Sequence, residues 1–252
     1  MRLTVIGMSG SYPSADSPAS CYLVEAGHDG RTFRLLLDLG SGSLGPLQRY
    51  IDLADIDAVL LSHLHADHCL DMCGLYVARR YYAPAEAPPI PVYGPTGTPG
   101  RLARAYDLPP SPGMTAEFDF QQFPEAPFSV GPFTVTATRV VHPVAAFALR
   151  IESRGSTLAY SGDSGSCDAL TKVARSADLF LCEASFVEGA DNPPDLHLTG
   201  KQAAEHATRA GAARLVLTHV PPAVDPQRVL DDARPAFDGQ IDLAATGATY
   251  SL

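Results

Sequence analysis

Four side chains able to bind a divalent metal fall within six residues, His63-Leu64-His65-Ala66-Asp67-His68. Imidazole nitrogens and carboxylate oxygens are the ligands that zinc and other borderline divalent cations take. The cluster follows Ala58-Val59-Leu60-Leu61, an apolar run that reads as a buried strand. On an extended segment entering a turn, His63 and His65 project to the same side, while Asp67 and His68 fall on the turn beyond. One short segment can then serve two adjacent ions, His63 and His65 for one, Asp67 and His68 for the other.

Two ions need further ligands, and each arrives at the end of another apolar run. Thr134–Val141 reads as a strand ending at His142, Ser156–Ser161 as one ending at Gly162-Asp163, and Arg214–Thr218 as one ending at His219. Open α/β sheets place their sites just past strand ends. Singly, His142 or His219 would read as an ordinary loop histidine; beside the six-residue cluster they become the expected further contributions. Asp163 has small neighbours, Ser161, Gly162, Ser164 and Gly165, and so has room to bridge both ions.

In this ordered set the chain resembles the metallo-β-lactamase fold superfamily of metallohydrolases over nearly its whole length. The resemblance implies an α/β (α+β) fold, the four-layer αββα sandwich, with residues 1–252 forming a single hydrolase domain. It implies two divalent metal ions, zinc first with manganese or iron as alternatives, held by His63, His65, Asp67, His68, His142, Asp163 and His219. It also implies that Asp38, at the end of Leu35-Leu36-Leu37, orients a metal-binding histidine; alone, Asp38 reads as a strand-to-turn carboxylate.

Paired metals activate a bound water and clamp the oxygens of a displacement, which describes a hydrolase without fixing its substrate. Cys182-Glu183-Ala184-Ser185-Phe186 and His197-Leu198-Thr199 narrow the choice, because they look like the phosphodiesterase branch of the superfamily. That branch includes the tRNA 3′-processing endonucleases and the class II cyclic-nucleotide phosphodiesterases, in which the Glu and the His pair beside the metals. A departing ester oxygen needs a proton, and a histidine held by a carboxylate can supply it. On this resemblance His197 is the expected general acid, Glu183 its orienting partner, and Asp67 both a ligand and the residue that steers the nucleophile.

The endonucleases commonly carry a long arm between the third-motif His and the bridging Asp. Here His142 and Asp163 are 21 positions apart, and Val220-Pro221-Pro222 follows His219 where those enzymes usually have Ser and Arg. The chain looks most like the compact actinobacterial group of atypical class II cyclic-nucleotide phosphodiesterases. The expected substrate is therefore a small 3′,5′-cyclic nucleotide, cyclic AMP foremost, opened to the 5′-monophosphate. Tyr81, Tyr82 and Phe186 are candidates to stack on its base, and Arg79 and Arg80 form either a phosphate spot or a solvated face. His28 and His206 lack motif context. Competing readings are an RNase Z-like tRNA 3′-processing endonuclease, a thioester, lactone or β-lactam hydrolase, and a metal-stabilised binding module without turnover.

Composition agrees with an enzyme for a small substrate. At 252 residues and 46% hydrophobic content the chain can bury one sizeable core. A net charge of −10 with no basic run is a poor start for gripping long nucleic acid, whose affinity comes mainly from phosphate neutralisation. No apolar window is long enough for a membrane span, and the apolar start Leu3–Gly7 is too short for a secretory signal, so a cytoplasmic location without membrane partners is expected. Five scattered cysteines suggest no disulfide framework, and Cys69 and Cys73 read as helical core positions. By analogy alone, a homodimer is one arrangement open to the chain.

The elements that must position these residues are legible as strands at Leu3–Gly7, Cys21–Ala26, Phe33–Asp38 and Ala58–Leu61, then a helix at Asp71–Tyr82. Pro-rich loops are expected at Ala83–Pro91 and Pro109–Gly113. A second half follows with strands at Glu117–Phe123, Pro132–Val141, Ala146–Glu152, Ser156–Ser161, Asp178–Cys182 and around Leu215. Helices are expected at Asp168–Ser176, at Thr199–Gly211 with Thr199 as N-cap, and near Asp225–Pro235.

Overall fold

The computed structural model describes residues 1–84 and 86–252; Ala85, within the stretch Ala83–Pro91 expected to be a loop, lies outside the described residues. The first half runs β1 (Arg2–Gly7), β2 (Cys21–His28), β3 (Arg31–Leu37), α1 (Leu44–Leu47), β4 (Ala58–Leu60), α2 (Ala66–Cys69), α3 (Met72–Tyr82), β5 (Ile90–Gly94), α4 (Thr98–Ala105) and β6 (Phe118–Gln122). The second half runs β7 (Phe128–Val130), β8 (Phe133–Arg139), β9 (Phe147–Ser153), β10 (Ser156–Tyr160), α5 (Asp168–Val173), β11 (Leu179–Glu183), α6 (Gly200–Ala210), β12 (Arg214–Thr218), α7 (Pro226–Ala233), β13 (Gln240–Leu243) and β14 (Thr249–Ser251).

These strands form two mixed seven-stranded sheets, ordered β14-β1-β2-β3-β4-β5-β6 and β13-β12-β11-β10-β9-β8-β7. In the first, β14, β1, β2 and β3 pair antiparallel and β3 to β6 pair parallel. The second mirrors this, with β7 to β10 antiparallel and β10 to β13 parallel.

Both faces of each central strand are buried, and the two-residue repeat sorts their side chains into separate layers. Leu35 and Leu37 join Leu158, Tyr160, Leu179, Leu181 and Val216 in the core between the sheets. Leu36, Val59 and Leu61 instead pack with Met72 and Leu75 under the helices of the first half. Phe180, Leu215 and Leu217 pack with Leu170, Ala203 and Val229 under those of the second. The layers are helix, sheet, sheet, helix: the expected αββα sandwich. No helix of the described residues is long and apolar enough to cross a membrane.

Two differences from the sequence reading have physical causes. The end of the expected loop Ala83–Pro91 is strand β5, with Pro91 inside a sheet. Ile90 N–H donates to Glu117 O, so the missing N–H of Pro91 falls on the opposite side, where pairing with β4 begins only at Val92. Strand β8 ends at Arg139 rather than Val141, after which Val141 makes a lone bridge to Gly165 and delivers His142 to the loop carrying Asp163. The N-cap at Thr199 is as expected: its hydroxyl accepts from Gln202 N–H and the Gln202 side chain returns the bond to Thr199 N–H.

The strand-end loops are closely packed. A Cβ on Gly40 would sit 1.9 Å from Asp67 O, on the backbone of the short helix that carries Asp67 and His68. Gly40→Ala is therefore expected to lower stability by about 3 kcal/mol, an overpacking cost. Gly45→Ala, which meets nothing within 4 Å, should be neutral or stabilising. Thermal melts of the two variants check both.

Candidate metal centre

The C-terminal ends of β3, β4, β10, β11 and β12 open onto one place between the sheets, and six of the chain's eight histidines gather there. Two sets of donor atoms stand side by side. In one, His65 Nδ1 lies 3.0 Å from His63 Nε2 and 3.2 Å from His142 Nε2. In the other, His219 Nε2 lies 3.1 Å from His68 Nε2 and 3.2 Å from Asp67 Oδ2, while Asp163 Oδ1 is 3.2 Å from His68 Nε2. Asp163 also reaches the first set, its Oδ2 being 3.7 Å from His63 Nε2.

Hydrogen bonds behind the rings decide which nitrogens carry protons. Asp38 is wholly buried and accepts from Ser62 N–H, Ser62 O–H, Tyr160 O–H and His68 Nδ1 at 2.6–2.8 Å. Ser62 has thereby given its only proton to Asp38, so its oxygen accepts from His63 Nδ1–H at 3.1 Å. His142 Nδ1–H donates to Leu196 O at 3.0 Å. His219 Nδ1 faces Ser185 Oγ at 2.9 Å; the single Ser185 proton goes to Glu183 or to His219 O, so its oxygen accepts from His219 Nδ1–H. When neutral, the His63, His68, His142 and His219 rings therefore turn unprotonated Nε2 atoms toward the centre.

Lone pairs facing each other at about 3 Å repel unless something positive lies between them. Tetrahedral zinc, with bonds of roughly 2.0–2.1 Å, needs ligand atoms about 3.3 Å apart. Asp163 Oδ1 is buried and has no hydrogen-bond partner among the described residues. The donor set, the spacing and this orphaned oxygen all fit divalent cations.

The protonation equilibria carry the same message. Burial holds His63, His65 and His142 below the ordinary histidine range. Burial also opposes a charged His68, but Asp163 and Asp38 outweigh it and lift His68 well above its usual value. Burial would raise Asp163, yet His219, His68 and His63 hold it well below the usual carboxylate range. The carboxylates thus demand positive charge from their surroundings.

Beside the second set, His197 Nδ1 lies 2.9 Å from Glu183 Oε1, and its ring stands 5.5 Å from His219 and 5.6 Å from His142. Glu183 is fixed in turn by Ser164 N–H, Ser185 O–H and Leu198 N–H. Burial lowers His197, but Glu183 more than compensates and raises it to about 9.

The other sequence candidates separate cleanly. Phe186 stands edge-on to His197 with ring centroids 5.2 Å apart. Tyr81 and Tyr82 are exposed at the far end of α3, roughly 15 Å along its axis from Met72. Arg79 donates to Pro88 O and Arg80 pairs with Glu117 at 3.3 Å, so neither bonds to a residue of the centre. His206 is buried between Ser166 and Thr171, where burial and Arg209 push it down to about 4. His28 sits at the surface beside Asp29. Sequence reasoning missed Ser62 and Ser185, which bond His63 and His219, and Tyr160, which bonds Asp38. A hydroxyl beside a strand-end histidine is a usable signal for Ser62, whereas Tyr160 reads only as core.

Comparison with known proteins places the chain. Residues 23–220 match the family model described as the Beta-lactamase superfamily domain. An uncharacterized protein of Mycobacterium tuberculosis is 43% identical, over 100% of this chain and 92% of that one. The Bacillus subtilis protein named Probable metallo-hydrolase YhfI is 30% identical with 99% of both chains covered, and its crystal structure superposes with a TM-score of 0.87. A Ribonuclease Z of Mycolicibacterium gilvum is 32% identical over 96% of this chain and 93% of its own. The chain belongs to the Beta-lactamase superfamily domain family, among the metallo-hydrolases of that fold.

Proposed function

We propose that this metallo-hydrolase is a dinuclear-metal phosphodiesterase that opens 3′,5′-cyclic nucleotides, cyclic AMP among them, to 5′-monophosphates. The observation that carries the reading is the pair of buried Glu183 and half-buried His197, 2.9 Å apart and flanking the donor sets. A thioester's thiolate departs readily without a proton and gives such a pair less to do than a phosphodiester, whose departing alkoxide needs one.

In this reading His63, His65 and His142 would hold one ion, and Asp67, His68 and His219 would hold the other. Asp163, whose oxygens reach both donor sets, would contribute to each, and zinc suits the donors best, with manganese or iron as alternatives. When bound, two such cations lower the pKa of water and neutralise charge on the phosphoryl oxygens. Asp67, at the rim of the second set, orients the attacking oxygen and accepts hydrogen bonding from it. His197 Nε2–H gives its proton to O3′ as the P–O3′ bond breaks and the new P–O bond forms. Glu183 keeps the imidazole in the tautomer and orientation this requires. Asp38 keeps His68 aimed inward.

A second reading, tRNA 3′ processing, draws on the 32% identical Ribonuclease Z. Against it stand the −10 net charge and the stretch between His142 and Asp163, which β9 and β10 occupy in place of an arm.

Three outcomes are expected. In a turnover screen with defined metals, cyclic AMP should be hydrolysed efficiently and a tRNA precursor or lactone poorly; the reverse order overturns the assignment. His197→Ala should retain two equivalents of metal by elemental analysis while kcat on cyclic AMP falls by roughly 10²–10⁴. Asp38→Asn should weaken metal binding by roughly 10- to 100-fold in a competition titration against a chelator, because His68 loses its charged acceptor.

A further inference from the structure

Beside His197 lies a cavity of about 280 Å³ whose lining includes none of the proposed metal ligands. His197 forms part of its wall, together with Phe186, Ser166, Asn192 and Gln202. Its two amides are oriented by bonds that leave no ambiguity. Gln202 accepts from Thr199 N–H, which can only donate, so that atom is Oε1 and the free end of the amide is the NH₂ group. Asn192 donates to Val187 O, which can only accept, so that atom is Nδ2 and the free end is Oδ1. Among the described residues, neither Gln202 Nε2 nor Asn192 Oδ1 has a partner. The cavity thus offers one fixed donor, one fixed acceptor and the apolar ring of Phe186.

The position of this cavity gives it a role. In an in-line displacement the leaving oxygen departs on the side of the group that protonates it. If His197 is that group, the alcohol part of the ester lies toward the space His197 walls. In a 3′,5′-cyclic nucleotide that alcohol is O3′ of the nucleoside. A nucleobase edge carries hydrogen-bond acceptors and donors side by side, and paired amide contacts are a recurrent way of reading it. We propose that this cavity is a nucleoside subsite, with Gln202 Nε2 donating to and Asn192 Oδ1 accepting from the base edge, and Phe186 beside its ring. The subsite rests on the reading of His197 as the acid, and it makes Gln202 and Asn192 determinants of base preference.

Gln202→Glu is the informative variant. A carboxylate at this position still accepts from Thr199 N–H, so the cap of α6 survives, while the outward donor becomes an acceptor. Adenosine and guanosine, each titrated into the metal-loaded protein and followed by amide chemical shifts, test the subsite without turnover. Expected are saturable shifts at Ser166, Phe186, Asn192 and Gln202 for at least one nucleoside in the wild type, weakened about tenfold in Q202E and in Asn192→Ala. In turnover the same two variants should raise KM for the preferred cyclic nucleotide about tenfold and change kcat less. No shifts with either nucleoside, or equal shifts in wild type and Q202E, overturn the subsite even where cyclic AMP is hydrolysed. Nucleoside binding at these residues without cyclic-nucleotide turnover supports the subsite and discards the proposed reaction.

Discussion

The structure turns on one constraint: imidazole lone pairs and carboxylate oxygens are made to face one another in a buried space. Each of four histidines is committed to that arrangement by what lies behind it. Asp38 takes the proton side of His68, Ser62 that of His63, Leu196 O that of His142, and Ser185 that of His219. These acceptors come from separate strands and loops, so no single element sets the geometry. Apart from a cation, the arrangement leaves facing nitrogens at about 3 Å and an unpartnered oxygen on Asp163. Part of the backbone near the centre is also unusual: Asp38 and His219 both have positive φ, which costs of order 1–3 kcal/mol at a non-glycine residue. The sandwich's three apolar layers are what hold such a centre in place.

The division of tasks among the carboxylates follows from their surroundings. Asp38 is engaged by four donors and is a structural fixture of His68. Asp163 lies between the two donor sets and is short of partners. Glu183 is hydrogen-bonded to His197 and anchored by two backbone N–H groups and Ser185, so it is held off the centre. Asp67 is the least buried of the four, with 11% of its side chain exposed at the rim. Four acidic groups around one centre thus stand in four different environments, set by the number of donors each one meets.

How much of this was legible in the sequence depends on the range of the interaction. The two central sheets show as apolar runs because their strands are buried on both faces, and the residues at their ends, His63, Asp163 and His219, were readable by position. The pairing of Glu183 with His197 came from resemblance, since nothing local links positions 14 apart across a loop. Strands β7, β13 and β14 are three or four residues long and take their order from neighbours, so periodicity had too few residues to register. Strand β5 was hidden by Pro91, whose tolerance depends on where β4 begins to pair. Tyr160 O–H reaches Asp38 across 122 positions, a contact only packing could reveal.

Apart from β14, which returns to the edge of the first sheet, each half of the chain builds one of two mirror-ordered sheets, yet neither half carries a full set of donors. His63, His65, Asp67 and His68 come from the first half, while His142, Asp163 and His219 come from the second. Cation affinity in such a molecule is a gauge of how well the two sheets are seated on each other. A sequence change far from any donor, in the apolar layer around Leu37, Tyr160 and Leu181, can then loosen the grip on the ions by letting one sheet shift against the other.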